Sequence, residues 1–121
     1  MTGLAALLAA AGLFVGGWPV TIDPHPPYPG ALGLACAAAF RSIPGNAQDR
    51  CPLGYEGRVL YPAALRDRKT AQNILLHEGW HLAHTEAGPA DDPFQEREAY
   101  GFACRLVPVA DLNVCPDWRN R

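Results

Sequence analysis

The run His77-Glu78-Gly79-Trp80-His81 brings together residue types, at a spacing, that could carry out hydrolytic chemistry. Residues four apart on a helix project from one face, one turn apart. Both imidazoles can then reach a single Zn²⁺ at about 2.0–2.1 Å. A glutamate directly after the first histidine stands beside the metal's open position, where it can act as general base for a water. Catalytic zinc keeps three protein ligands and one open site, so a third ligand has to come from elsewhere. Between Asp92 and Leu106, Glu96 and Glu98 compete for that role. Glu96 shares a helical stripe with Ala99, Ala103 and Leu106, whereas Glu98 shares one with Gly101, Phe102 and Arg105. A carboxylate on the small, apolar stripe is the one expected to face inward, and an inward carboxylate needs a partner. Glu96 is therefore the expected ligand and Glu98 the alternative. The bland reading of the same residues is two satisfied core histidines and two solvated glutamates.

These side chains need two helices to hold them. The stretch from Lys69 to Glu86 contains no proline and precedes Gly88-Pro89, a common helix stop. Ala71, Leu75 and Leu82 mark one buried stripe, with Ile74, His77 and His81 on the next, so the histidines should sit at the edge of the core-facing surface. Gly79 costs about 1 kcal/mol against alanine in mid-helix, which points to close approach of a strand or loop. The second helix is expected over residues 93–106. Asp92 caps it, Pro93 suits its first position, Gln95 completes a capping box, and Pro108 lies beyond its end.

Around the two helices the elements are short. Residues 3–15 form an apolar run that Thr2 can cap and Gly16 can end, and it is expected as a buried first helix. It falls short of the ~20 residues of a membrane span. As a signal segment, the alternative, it would lack a basic leader, since the first Lys or Arg is Arg41. Trp18 to Asp23 reads as a short strand, at an edge because of Pro19. Residues 31–40 read as a second short helix, residues 41–56 as a loop, and Gly57 to Tyr61 as a strand that stops at Pro62.

With 121 residues the chain suffices for a single domain, residues 1–121, with a real core. The formal net charge is −2 and the basic residues are spread from Arg41 to Arg121, which gives no nucleic-acid surface. Cys36, Cys51, Cys104 and Cys115 form two sequence-local pairs; if bridges form, Cys36–Cys51 and Cys104–Cys115 are the expected ones, the alternative being four buried thiols. Bridges favour an oxidising compartment, free thiols a cytosolic one. With residues 1–17 kept as structure, the expected location is cytoplasmic; with them as a signal, the protein would be secreted.

His-Glu-x-x-His followed by a helix bearing Glu-x-Glu-Ala-x-x-Phe-Ala resembles the compact gluzincin metallopeptidases, and most closely the ImmA/IrrE group. The resemblance is at motif level over roughly residues 57–107. It implies an α+β, minimal zincin-like domain in which the metal helix and the glutamate helix pack on a small sheet beside the N-terminal helix. It also implies Zn²⁺ held by His77, His81 and Glu96, with Glu78 as general base. In that family the third ligand lies four residues before an Asp or Asn that supports a metal-bound histidine. Carried over, the ligand is Glu96 and the supporting position is Tyr100, where tyrosine departs from the family pattern. Tyr100, Tyr61 and Tyr55 are the candidate oxyanion donors. The family holds substrate as an added strand against a sheet edge, a role that falls here to Gly57 to Tyr61, with Arg58 and Tyr61 near the cleft. His84 is expected as a surface histidine, and His25 has no assigned role. The function so implied is a zinc-dependent endopeptidase acting on a protein or peptide. The alternative is a zinc-stabilised binding or regulatory module, an anti-repressor or sensor with little proteolysis.

Overall fold

The computed structural model describes residues 18–41, 50–87, 92–111 and 113–115. The expected first helix at residues 3–15 and the Gly88-Pro89 stop lie outside the described residues. The rest is a small α+β arrangement. Three strands, β1 (Val20–Ile22), β2 (Gly33–Cys36) and β3 (Gly57–Leu60), form a mixed sheet in the order β1-β3-β2. β1 runs parallel to β3, with Val20 opposite Arg58, and β2 runs antiparallel to it, with Gly33 opposite Leu60. Three helices accompany the sheet: α1 (Ala38–Arg41), α2 (Arg68–Ala83) and α3 (Pro93–Leu106). None among the described residues is long and apolar enough to cross a membrane.

The pleat decides how α2 sits. Side chains alternate between faces, so Arg58 and Leu60 of β3 share a face with Gly33 and Ala35 of β2. That face meets α2. Leu60 packs into the main core with Ile74, Leu75 and Leu76, and the Arg58 guanidinium donates to Leu75 O at 3.4 Å. Gly33 and Ala35 carry at most a methyl group, which leaves room for the helix. The opposite face holds Val59, Cys36 and Tyr61, covered by Tyr55 and by the Cys36–Cys51 disulfide.

Three expectations need correction. Residues 31–40 are not one helix: Gly33–Cys36 is a strand, and only Ala38–Arg41 is helical. The run of small apolar residues suits either state, and pairing with β3 decides it. β3 is central in the sheet and so offers no edge for an added strand; among the described residues the outer strands are β1, as expected from Pro19, and β2. Arg58 and Tyr61 do not line a cleft, for both are buried and Arg58 also donates to Trp18 O at 2.8 Å.

α2 starts at the Asp67 cap, whose carboxylate accepts from Thr70 N at 2.8 Å and from the Thr70 hydroxyl at 3.0 Å. It ends at Ala83, earlier than the sequence suggests, with a 3₁₀ turn at Thr85–Ala87 after it. His84 accounts for the end. Its ring Nδ1 donates to Trp80 O at 2.7 Å, the carbonyl its own amide would take in a continuing helix, and the amide turns to His81 O. α3 spans Pro93–Leu106 as expected, with the Asp92 carboxylate accepting from Phe94 N at 2.8 Å.

Candidate metal centre

α2 and α3 pack side by side and bring their polar groups to one point. His77, Glu78 and His81 are all buried on α2. Glu96, in the first turn of α3, reaches across to both histidines: Oε1 lies 2.9 Å from His77 Nε2 and 2.6 Å from His81 Nε2. A carboxylate oxygen can only accept, so each Nε2–H donates to it. Glu98 faces solvent. The helix-stripe choice between the two glutamates thus matches where they lie.

The electrostatics follow from this geometry. Burial pushes the Glu96 carboxyl up, but hydrogen bonds from His77 and His81, and their proximity, outweigh it and bring the group to about 2. Burial holds the His77 imidazole below its usual value against the pull of Glu96. A His77 imidazole held toward its neutral form, facing an ionised Glu96 carboxylate, matches what a divalent metal requires of such ligands. Glu78 differs: burial, with Glu96 adding to it, raises its carboxyl well above the usual range. A buried carboxyl raised in this way beside a pair of histidines is a candidate acid–base group.

The donor set fits zinc. Two imidazoles and one carboxylate are ligands it takes, and bonds of about 2.0 Å in a tetrahedral site place ligand atoms roughly 3.3 Å apart. The nitrogen-to-oxygen separations of 2.9 and 2.6 Å are hydrogen-bond distances, so a small outward movement of Glu96 would open the space. The ligand atoms of His77, Glu78 and His81 also lie within 4.8 Å of one another, which sets the Glu78 carboxyl beside the same point.

Tyr100, one turn beyond Glu96, packs its ring edge-on against His77 with centroids 4.3 Å apart. The His77 ring is thereby held between Tyr100 and His81, the latter at 5.0 Å. Support comes from packing and not from a hydrogen bond, for His77 Nδ1 is buried without a partner among the described residues. Burial, followed by the charges of Glu96, Glu78 and Tyr28, pushes the Tyr100 hydroxyl up to about 12, so it remains a donor at ordinary pH. Of the other tyrosines considered, Tyr55 spends its hydroxyl on Arg58 O at 2.8 Å, and Tyr61 is buried on the far face of the sheet. His84 stacks on Trp80, centroids 4.0 Å apart, and takes no part in the cluster. The amide of His25 binds the Asp23 carboxylate in its loop.

Both expected disulfides are present, Cys36–Cys51 and Cys104–Cys115, with Cα atoms 6.0 and 5.8 Å apart. The second ties the C-terminal end of α3 to the chain beyond it. Asn73 of α2 joins there: its amide donates to Val107 O at 2.9 Å and lies 3.4 Å from each sulfur of the bridge.

Two residues near the site escaped the sequence reading. Tyr28, exposed in the loop between β1 and β2, lies close enough to couple electrostatically to Tyr61 and Tyr100. Gly33 lies directly against Glu78: a Cβ on it would stand 3.0 Å from Glu78 Oε2. A glycine inside a strand does signal close approach, but the segment had been read as a helix. Gly79 is buried, and the close approach of sheet to helix is marked by the strand's own Gly33. Comparison with protein-family models, curated proteins and solved structures finds no match to this chain.

Proposed function

We propose that this protein is a zinc-dependent peptidase in which His77, His81 and Glu96 hold the metal and Glu78 is the general base. The observation that carries the reading is the meeting of both histidine Nε2 atoms on one Glu96 oxygen, with the buried Glu78 carboxyl alongside. When bound, zinc supplies a Lewis acid that polarises a carbonyl and brings the pKa of a water to about 7. Glu78 accepts the water's proton as the scissile carbonyl is attacked and returns it to the leaving amine. Tyr100 keeps the His77 ring in place and offers a protonated hydroxyl close to the same centre.

The zincin-like character of the fold belongs to this proposal, as does the substrate, an extended protein or peptide segment. β2 replaces β3 as the strand expected to receive it. Tyr61 N donates to Leu32 O at 3.0 Å, so in the alternating antiparallel ladder the N–H and C=O of Gly33 point away from β3. Groups so directed can pair with an added strand. The two disulfides favour an oxidising compartment over the cytoplasm as the place of action. A zinc-stabilised regulatory module would use the same ligands but has no need for a buried carboxyl as base. The test is metal content and cleavage of an unstructured protein, wild type beside Glu78→Gln. The variant should keep about one zinc per chain and lose activity by about 10²–10⁴-fold. Equal cleavage by both would remove Glu78 from the chemistry.

A further inference from the structure

We infer that Gly33 is a positioning residue for the Glu78 carboxylate, an inference that rests on the peptidase reading above. Gly33 opens β2 on the sheet face turned toward α2, opposite Leu60 in the ladder. A methyl group there would stand 2.7 Å from Ile74 Cγ2, 3.0 Å from Glu78 Oε2 and 3.0 Å from Val59 O. These three neighbours do not yield equally. Val59 O is main chain of the central strand, and Ile74 Cγ2 belongs to a β-branched side chain whose rotation in a helix is strongly restricted. Glu78 Oε2 is the end of a flexible side chain and gives way most readily, although the 2.7 Å contact also requires a small shift of Ile74 or of the strand. The missing Cβ therefore leaves the strand backbone as a wall against one side of the carboxylate, while α2 holds its stem.

The consequence is specific to the base. A general base acts across about 2.6–3.2 Å, so a displacement of a few tenths of an ångström removes it from reach of its water. The proposed metal ligands are not the first to be met, since none of His77, His81 and Glu96 supplies one of the three nearest atoms to a Cβ at residue 33. Gly101 provides the control, for a Cβ on it would meet nothing within 4 Å.

The experiment compares Gly33→Ala, Glu78→Ala, the double variant and Gly101→Ala with wild type, reading zinc content, thermal midpoint, kcat and KM. Gly33→Ala should retain about one zinc per chain and lose kcat by about 10–100-fold with KM little changed, as loss of a correctly placed base requires. Gly101→Ala should leave kcat and KM as they are. The thermal midpoints test the contact without activity. Overpacking at residue 33 should lower the midpoint by about 5–10 °C, and by clearly less in the Glu78→Ala background, where the crowded oxygen is gone. If Gly33→Ala alone does not fold but the double variant does, the contact is supported; if neither folds, Ile74 and Val59 carry the clash and the inference fails. A Gly33→Ala protein that folds, binds zinc and keeps kcat within twofold of wild type also overturns it. Wild-type protein that neither binds zinc nor cleaves overturns the peptidase reading and this one with it. An active wild type with an additive stability cycle overturns this one alone.

Discussion

The two helices that build the centre are held in place by different means. In α2, eleven of sixteen residues are buried, and packing on the sheet and on α3 positions it. In α3 only Ala99, Ala103 and Cys104 are buried among fourteen residues, and links at its two ends add to its packing on α2. At its start Glu96 joins His77 and His81; at its end the Cys104–Cys115 bridge and the Asn73 amide secure it. The proposed general base and two of the proposed ligands thus stand on the buried helix, and the third proposed ligand on the other. A helix held by side-chain links can adjust by fractions of an ångström, which is what admitting a metal between Glu96 and the histidines requires.

The strongest test of this contrast is loss of metal. His77→Ala and His81→Ala should each abolish stoichiometric zinc binding, and Glu96→Ala should do the same from the other helix. Glu98→Ala, altering a solvent-facing residue on the same helix, should leave zinc content unchanged. Metal lost from Glu98→Ala but retained in Glu96→Ala would mean that α3 presents a different face when loaded.

The disulfides separate the two anchoring modes. Removing either bridge should cost about 3 kcal/mol in the chain-entropy account, measurable by denaturant titration. Only the Cys104→Ala/Cys115→Ala protein should also bind zinc less tightly, by roughly tenfold, because only that bridge secures the Glu96 helix. Cys36→Ala/Cys51→Ala opens the opposite sheet face and should keep its affinity. Equal affinities in the two variants would show that packing alone suffices for α3.

Asn73→Ala should be smaller still. It strips the Val107 carbonyl of its donor, at about 1–3 kcal/mol for a buried polar group left unpaired, read from the denaturation midpoint.

The smallest effect lies at the start of α2. Hydrogen bonds from Thr70 hold the Asp67 carboxyl below its usual range. A depressed carboxyl stabilises the fold above its ordinary pKa, and the contribution fades as pH falls through the lowered value. Acid titration should therefore show a modest loss of stability at low pH that Asp67→Asn lacks. Matching acid profiles would leave the cap without an electrostatic share.

How much of this could be read beforehand differs along the same line. Both helices were legible because their signals are local: the Asp92 cap and proline at the first position of α3, and apolar residues at helical spacing in both, whereas the Asp67 cap of α2 came only from the structure. Glu96 over Glu98 was legible too, since stripe membership follows from the 3.6-residue period. The sequence-local cysteine pairs were open to the same kind of reading. By itself, then, the sequence determined which residues of the two long helices share a face and where α3 begins and ends, but not where α2 ends. Only the tertiary structure decided that Gly33–Cys36 is a strand, because a run of small apolar residues becomes one only by pairing with β3. Tertiary packing likewise decided that Gly33 meets Glu78 and that Arg58 is structural. It also decided that Tyr100 supports His77 by ring contact. Each of these depends on residues far apart in the chain, and no local period encodes which backbone will approach which side chain.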